Sequence, residues 1–262
     1  MRTSDFLPMI QLMSTVGQHI VTWQTDKKLQ HLHSEAEFKT EADRCAHELI
    51  YLGIKRLYPG VKVLSEESLQ PIIERPDAYW LIDPIDGTAS WLHGFAGFVT
   101  QAAYIENGQP IFGIIHAPLL RNTWTAVNHQ GAYLNDVRLP ILRASNRLII
   151  TDNTPQPHGI AKFCCEQLAA TGYRESGSLG LKAVLVADGT ADLFIKDVVV
   201  RDWDFAPVAV ILQEVGGQLG LANGKPYEFT GNVEKHGGIV VARDKALFRR
   251  AIELFPRYAR GV

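Results

Sequence analysis

The chain is poor in cysteine, with only Cys45, Cys164 and Cys165 among 262 residues. An odd count with two adjacent thiols argues against a disulfide framework and suits a reducing compartment, so a cytoplasmic location is expected. No C-x-x-C and no H-E-x-x-H occurs, which removes the usual zinc patterns. No stretch approaches the ~18 apolar residues of a membrane span. The opening "MRTSDFLPMIQLMS" lacks the continuous apolar run of a signal peptide. Neither charge sign dominates: the formal net charge is -2. A field that small gives no bulk affinity for nucleic acid. Internal repeats and low-complexity linkers are also missing.

What is present is an ordinary globular composition, 46% hydrophobic and 21% charged, long enough to bury a core without covalent staples. "DFLPMIQLMSTVGQHIVTW" has helical spacing. "DKKLQHLHSEAEFK" is polar and aperiodic and reads as a mobile loop, with His31 and His33 solvated. Thr40 opens a second helix, "TEADRCAHELIYLGIKRLYPG", and Thr40 with Asp43 fits a capping box. "VKVLSEES" and "AYWLIDPIDGT" read as buried strands that end in acids. Asn107-Gly108 marks a hairpin, and "NTWTAVNHQGAYLNDVRLP" continues an antiparallel sheet. From "RLIITDNTP" onward strand and helix alternate. The helix "HGIAKFCCEQLAATG" is closed by Gly172, and another begins at Phe205 and ends at Gly216-Gly217. The expected organisation is one domain over residues 1–262. It has an antiparallel-sheet lobe carrying the acidic loops (about 1–145) and an α/β lobe (about 146–262).

Five acids sit where core elements meet surface loops: Glu66 and Glu67 in "LSEES", Asp83 and Asp86 in "DPIDGT", and Asp204 in "RDWDFAP". Singly, each has an ordinary reading. Asp204 could cap a helix, Asp86-Gly87 could be a turn, and the glutamates could be a solvated loop. Together they suggest more. Pro84 fixes the backbone between the two aspartates, aiming both carboxylates into one cavity and freeing the Ile85 carbonyl. Carboxylates, a carbonyl and water are the ligand set of a hard cation such as Mg²⁺. Clustered carboxylates otherwise repel and stay partly protonated. The N–H groups of Gly87 and Thr88, at the start of a short helix, suit phosphate oxygens. Metal ligands beside a phosphate cradle point to metal-assisted phosphoryl transfer.

The motifs also carry a family resemblance. "WLIDPIDGT" resembles the first signature of the inositol monophosphatase family, and "WDFAPVAVILQEVGG" its second. "LSEES" resembles the family's Gly-Glu-Glu loop with Ser65 in place of glycine, and "KTEAD" its early Thr-x-x-Asp segment. "GSLGLKAVLVADGTADLF" is similar to the stretch before the last metal aspartate. These matches keep the family's order across about residues 5–245. The resemblance implies an α+β fold, a layered αβαβα sandwich of the sugar-phosphatase type. It implies a lithium-sensitive, Mg²⁺-dependent phosphatase, often a homodimer, with two or three ions per site. Glu66, Asp83 and the Ile85 carbonyl would hold the first ion; Asp83, Asp86 and Asp204 the second. A weaker third ion would lean on Glu66. Thr88, oriented by Asp43, would position the attacking water, and Gly87 and Thr88 would bind phosphate. Glu67 would support the loop.

Substrate residues are where the chain departs from the pattern. Family members acting on inositol phosphates place a glutamate seven residues before the second-signature aspartate, where Asp197 stands here. Its neighbour Lys196 could instead meet a second phosphate. Ser178, in "GSLGLK", and Asp86 complete the expected substrate contacts. That stretch and the proline of "WDFAP" resemble the 3′(2′),5′-bisphosphate nucleotidases, whose Lys-x-Asp-x-Ser-Pro-Val-Thr segment is missing here. A small phosphorylated polyol, inositol monophosphate first, is therefore the expected substrate, with the bisphosphate nucleotide second. A regulatory protein on the same fold is a third reading, against which stand all the metal-type carboxylates and Thr88. No nucleic-acid or membrane partner is expected. Trp91 and the Cys164-Cys165 pair read as packing.

Overall fold

In the computed structural model of the chain, residues 2–34, 39–68 and 75–261 are described. The first half runs α1 (Leu7–Trp23), β1 (Leu32–Ser34), β2 (Lys39–Thr40), α2 (Glu41–Leu57), β3 (Lys62–Ser65), β4 (Ala78–Asp86) and α3 (Thr88–Leu92). Then follow β5 (Val99–Glu106), β6 (Gln109–Ala117), β7 (Asn122–Val127), β8 (Gly131–Leu134) and β9 (Val137–Arg138). The second half runs β10 (Ile149–Asp152), α4 (Gly159–Gln167), β11 (Gly172–Glu175), α5 (Leu179–Ala187), β12 (Leu193–Lys196) and β13 (Val200–Arg201). It ends with α6 (Asp202–Val215), β14 (Gln218–Gly220), β15 (Glu234–Lys235), β16 (Ile239–Ala242) and α7 (Lys245–Ala259).

Two sheets organise these elements. Strands β3 to β9 form a seven-stranded sheet in sequence order, antiparallel except for the parallel β3–β4 pair. The other has five strands in the order β11-β10-β12-β16-β14. Alternation along β4 explains the layering. Trp80 and Ile82 face a core shared with Met9, Met13 and Ile20 of α1 and Ile50 and Ile54 of α2. Tyr79 and Leu81 face the opposite core, shared with Val184 of α5 and Val208 and Ile211 of α6. That second core also takes in Phe194 and Val241 of the five-stranded sheet, so α5 and α6 lie between the sheets. The outer face of the five-stranded sheet packs on Ile160 of α4 and Leu247 and Leu254 of α7. The result is the five-layer αβαβα arrangement. Because β4 and β5 are covered on both faces, they read as nearly unbroken apolar runs.

Three local expectations change. The segment read as a mobile loop contains β1 and β2, paired antiparallel; residues 35–38, and the side chain of His33, lie outside what is described, while His31 is exposed. The α4 helix ends at Leu168 with Ala169 in the left-handed region (φ 53°), and Gly172 opens β11 instead of closing the helix. Spacing alone cannot separate a short strand from a helix tail. Finally, α6 starts at Asp202, three residues before Phe205. Two aspartates and a tryptophan give a sequence reader no apolar period, yet tertiary burial makes them the first turn.

Candidate active site

The sheet itself brings Asp83 and Asp86 together. In a regular strand, residues three apart point to opposite faces. Here the β4–β5 register runs Asp83↔Gln101 and then Asp86↔Val99, so three steps on β4 match two on β5. The extra residue is a bulge at Pro84-Ile85. Proline has no N–H to give the ladder, so a bulge is where it is tolerated in a buried strand. The bulge turns Asp86 back to the face that Asp83 occupies.

Gly87 follows at φ 91°, a left-handed conformation that a side chain resists, and a Cβ there would lie 2.9 Å from that of Ser178. The turn ends β4 and starts α3 at Thr88. Thr88 Oγ1 donates to Asp43 Oδ1 at 2.9 Å and lies 3.1 Å from the Ile85 carbonyl oxygen. The other oxygen of Asp43 closes the capping box on α2, accepting from the Thr40 N–H at 2.8 Å and the Thr40 hydroxyl at 2.6 Å. Asp43 is thus held at both oxygens, and the helix cap read from "TEAD" also orients the threonine hydroxyl.

Asp204 arrives from the far side of the layer. It is the third residue of α6, not its cap, and accepts from the Arg201 N–H at 2.7 Å. Asp83, Asp86 and Asp204 each offer a carboxylate oxygen within 4.8 Å of the others, and all three are buried. Glu66 stands at the turn after β3, its N–H donating to the Ile82 carbonyl at 3.2 Å, beside but outside that set. Lys39 bonds the Glu66 carbonyl at 3.0 Å and pairs with Glu67 at 3.3 Å, so Glu67 ties the loop to β2.

The electrostatics are those of a site short of positive charge. Burial, then repulsion from Glu66, Asp86 and Asp204, holds Asp83 well above the usual carboxylate range. Burial and the Asp86 charge do the same to Asp204. Burial raises Glu66 to about 7 against the pull of Lys39. Asp86 is also raised by burial, tempered by N–H donors. Those N–H groups are Gly180 at 2.7 Å and Leu179 at 3.3 Å, at the start of α5; Gln101 Nε2 also donates to Asp86 at 3.2 Å. Asp83 Oδ1 is fully buried with no hydrogen-bond partner among the described residues. Crowded carboxylates with an orphaned oxygen are a donor set that a hard divalent cation satisfies.

Matching of the whole chain then decides the family. The profile of the inositol monophosphatase family spans residues 9–260. The chain belongs to the inositol monophosphatase family. As a member it is a phosphatase, a phosphoric monoester hydrolase acting on small phosphorylated substrates, and the family is metal-dependent. Among curated relatives it is similar to the 3′(2′),5′-bisphosphate nucleotidase CysQ of Aggregatibacter actinomycetemcomitans, 29% identical over 84% of this chain and 85% of that one. It is also similar to the fructose-1,6-bisphosphatase/inositol-1-monophosphatase of Thermotoga maritima, 31% identical over 82% and 84%. Among solved structures, the Thermotoga maritima IMPase superposes with a TM-score of 0.80 at 26% identity, covering 97% of each chain.

The expected substrate residues are placed less closely together. Ser178 caps α5, accepting from the Leu181 N–H at 3.1 Å, and its own N–H donates to Gly97 O at 2.6 Å, beside the Gly87 turn. Lys196 is occupied: its Nζ lies 2.7 Å from both oxygens of buried Asp152 and 2.6 Å from Asn153 Oδ1. Asp197 lies past the end of β12, is exposed, and makes no hydrogen bond or ion pair among the described residues. Trp91 is buried and donates to the Ile20 carbonyl at 2.8 Å, a packing role.

Sequence reasoning passed over two residues here. Gln101 bridges Asp83 (3.4 Å) and Asp86 (3.2 Å). Its signal was a lone amide in the apolar strand "FVTQAAYI". Lys182 is buried on α5, bonds the Gly177 carbonyl, and lies 5.3 Å from the centroid of the Phe194 ring. Burial lowers its ammonium to about 8, against the attraction of Asp152 and Asp86. Among the described residues no helix is long and apolar enough to cross a membrane.

Proposed function

We propose that the chain is a Mg²⁺-dependent, lithium-sensitive phosphatase of small phosphorylated polyols, inositol monophosphate first, working in the cytoplasm as a homodimer. The observation that carries it is the convergence of Asp83, Asp86 and Asp204 beside a threonine hydroxyl already committed to a carboxylate. Asp83, Asp86 and Asp204 would hold one Mg²⁺, and Glu66, Asp83 and the Ile85 carbonyl another, with a weaker third leaning on Glu66. When bound, the ions supply positive charge for the phosphoryl oxygens and make a water easier to deprotonate.

The rest belongs to the chain. Asp43 accepts the hydrogen bond that the Thr88 hydroxyl donates, which leaves the Thr88 oxygen lone pairs free to accept a hydrogen bond from the attacking water and fix its direction. The N–H groups of Gly87 and Thr88 donate to phosphate oxygens as charge builds there. Asp86 and Ser178 border the space for the alcohol half of the substrate, and Asp197 accepts from its hydroxyls. No covalent enzyme intermediate is required.

A second reading, hydrolysis of a 3′(2′),5′-bisphosphate nucleotide, draws on Lys196 and on the likeness to CysQ. Lys196 already faces Asp152, and this favours the polyol. The test is phosphate release with and without Mg²⁺ from inositol 1-phosphate, 3′-phosphoadenosine 5′-phosphate, fructose 1,6-bisphosphate and histidinol phosphate, repeated for Asp197→Ala and Lys196→Ala. Selective damage to the polyol reaction by Asp197→Ala, of about 1–3 kcal/mol, supports the first reading. An effect of Lys196→Ala alone, confined to the bisphosphate nucleotide, replaces it with the second.

A further inference from the structure

The seven-stranded sheet carries a second polar hollow on the face away from the acid cluster. Neighbouring residues on a strand point to opposite faces. Gln101 faces Asp83 and Asp86, so Thr100 faces α1, and Thr100 pairs with His116 of β6. Beyond His116, α1 and the β6–β7 hairpin border an open cleft of about 570 Å³, within the range that small ligands occupy. Ser14, Gln18 and Thr22 line it from one side of α1, spaced i, i+4, i+8 along the helix, and His116, Arg121 and Thr123 from the hairpin. An adjoining hollow of about 440 Å³ shares Ser14 and Thr123 and reaches Asn135 and Asp136.

Two features shape this groove. His116 is only 7% exposed, and its Nδ1 lies 2.8 Å from Thr123 Oγ1. Its other ring nitrogen has no hydrogen-bond partner among the described residues, and desolvation keeps the ring neutral, its pKa lowered to about 4. Next, α1 spends a glycine on the contact. Gly17 costs the helix about 1 kcal/mol relative to alanine, and a Cβ there would come within 2.7 Å of His116 Nε2. Arg121 itself is exposed at the last position of the β6–β7 turn (φ 54°), its carbonyl accepting from Asn135 Nδ2 at 3.1 Å. No carboxylate lies within ion-pair distance of its guanidinium among the described residues.

One guanidinium with no ion pair among the described residues, set among hydroxyls, an amide and the apolar Val21 and Pro118, suits a single phosphate carried on a body with both hydroxyl and apolar surface. We propose that this groove is a second, non-catalytic site for a small phosphate monoester, with the phosphate on Arg121 and the body along Ser14, Gln18 and Thr123. The inference does not depend on the reading of the acid cluster, because the sheet separates the two sites.

The test is nitrogen-15 NMR of the imidazole rings in the intact protein, with chelator present so that probes are not turned over. His116→Gln assigns its signal among the nine histidines. Uridine 5′-monophosphate and glycerol 3-phosphate are the probes; inorganic phosphate and uridine are the controls. The expected result is a saturable shift of the His116 signals by a monoester, with Kd of about 1 mM or below. Arg121→Ala should weaken it at least about tenfold with the melting temperature unchanged, and Asp204→Asn should leave it intact. A silent His116 signal up to about 10 mM of each monoester overturns the proposal. So does an undiminished shift in Arg121→Ala, or a response to inorganic phosphate with none to the esters.

Discussion

The two sides of the seven-stranded sheet hold polar groups on opposite terms. On the α5–α6 face, Asp83, Asp86 and Asp204 carry like charge, are buried together, and leave Asp83 Oδ1 without a hydrogen-bond partner among the described residues. On the α1 face, His116 is buried but neutral and bonded to Thr123, and the charge belongs to an exposed arginine. The first arrangement is unstable by itself and calls for a cation. The second is close to balanced and fits an anion. What separates them is one step of strand alternation, so a sheet of neutral strands can insulate two sites of opposite electrostatic demand.

Removing a carboxylate from the acid face should have the largest effect. Asp83→Asn is expected to abolish phosphate release while leaving the fold intact. It should also raise the melting temperature of the chelated protein, by about 2–4 °C for each kcal/mol of repulsion relieved. Near-native turnover of this variant at saturating Mg²⁺ would refute the placement of Asp83. Thr88→Ala comes next. Losing the hydroxyl that Asp43 orients should cost about 100-fold in kcat, and Thr88→Ser should recover most of it. If serine is no better than alanine, the hydroxyl is not the working group.

On the other face the effects fall on stability. Unfolded histidine titrates near 6.5, and folded His116 near 4. Between those values the unfolded chain binds the extra proton, so this contribution is complete above pH 6.5 and is lost as pH falls toward 4. The loss is at most about 3 kcal/mol, and His116→Gln should flatten that part of a denaturation-against-pH series. An unchanged slope would show that the ring is solvated. Gly17→Ala should destabilise by about 1–2 kcal/mol although alanine is the better helix former, because the new methyl overlaps the His116 ring. A rise in stability would mean that the ring moves aside freely. Li⁺ at limiting Mg²⁺ should slow turnover, reported by the acid face alone, with the His116 signals unmoved.

Much of this protein is determined by local sequence. The capping box of "TEAD", the hairpin at Asn107-Gly108 and the helix stop at Gly216 rest on backbone chemistry within four residues, so they read directly. The acids themselves were legible as well, because two aspartates around Pro84 with a glycine after them mark a strand that ends in polar groups. Tertiary structure decided the rest. The β4 bulge put Asp83 and Asp86 on one face, and only strand pairing sets a bulge. Asp204 became the third residue of α6 because two sheets bury that turn. Lys196 was taken up by Asp152, forty-four residues earlier in the chain, while Asp197 was left in solvent. The groove at His116 has no sequence signature, since its walls are an ordinary helix face and an ordinary hairpin. Only their packing across Gly17 makes them one surface, and packing between distant segments is information that a linear pattern does not carry.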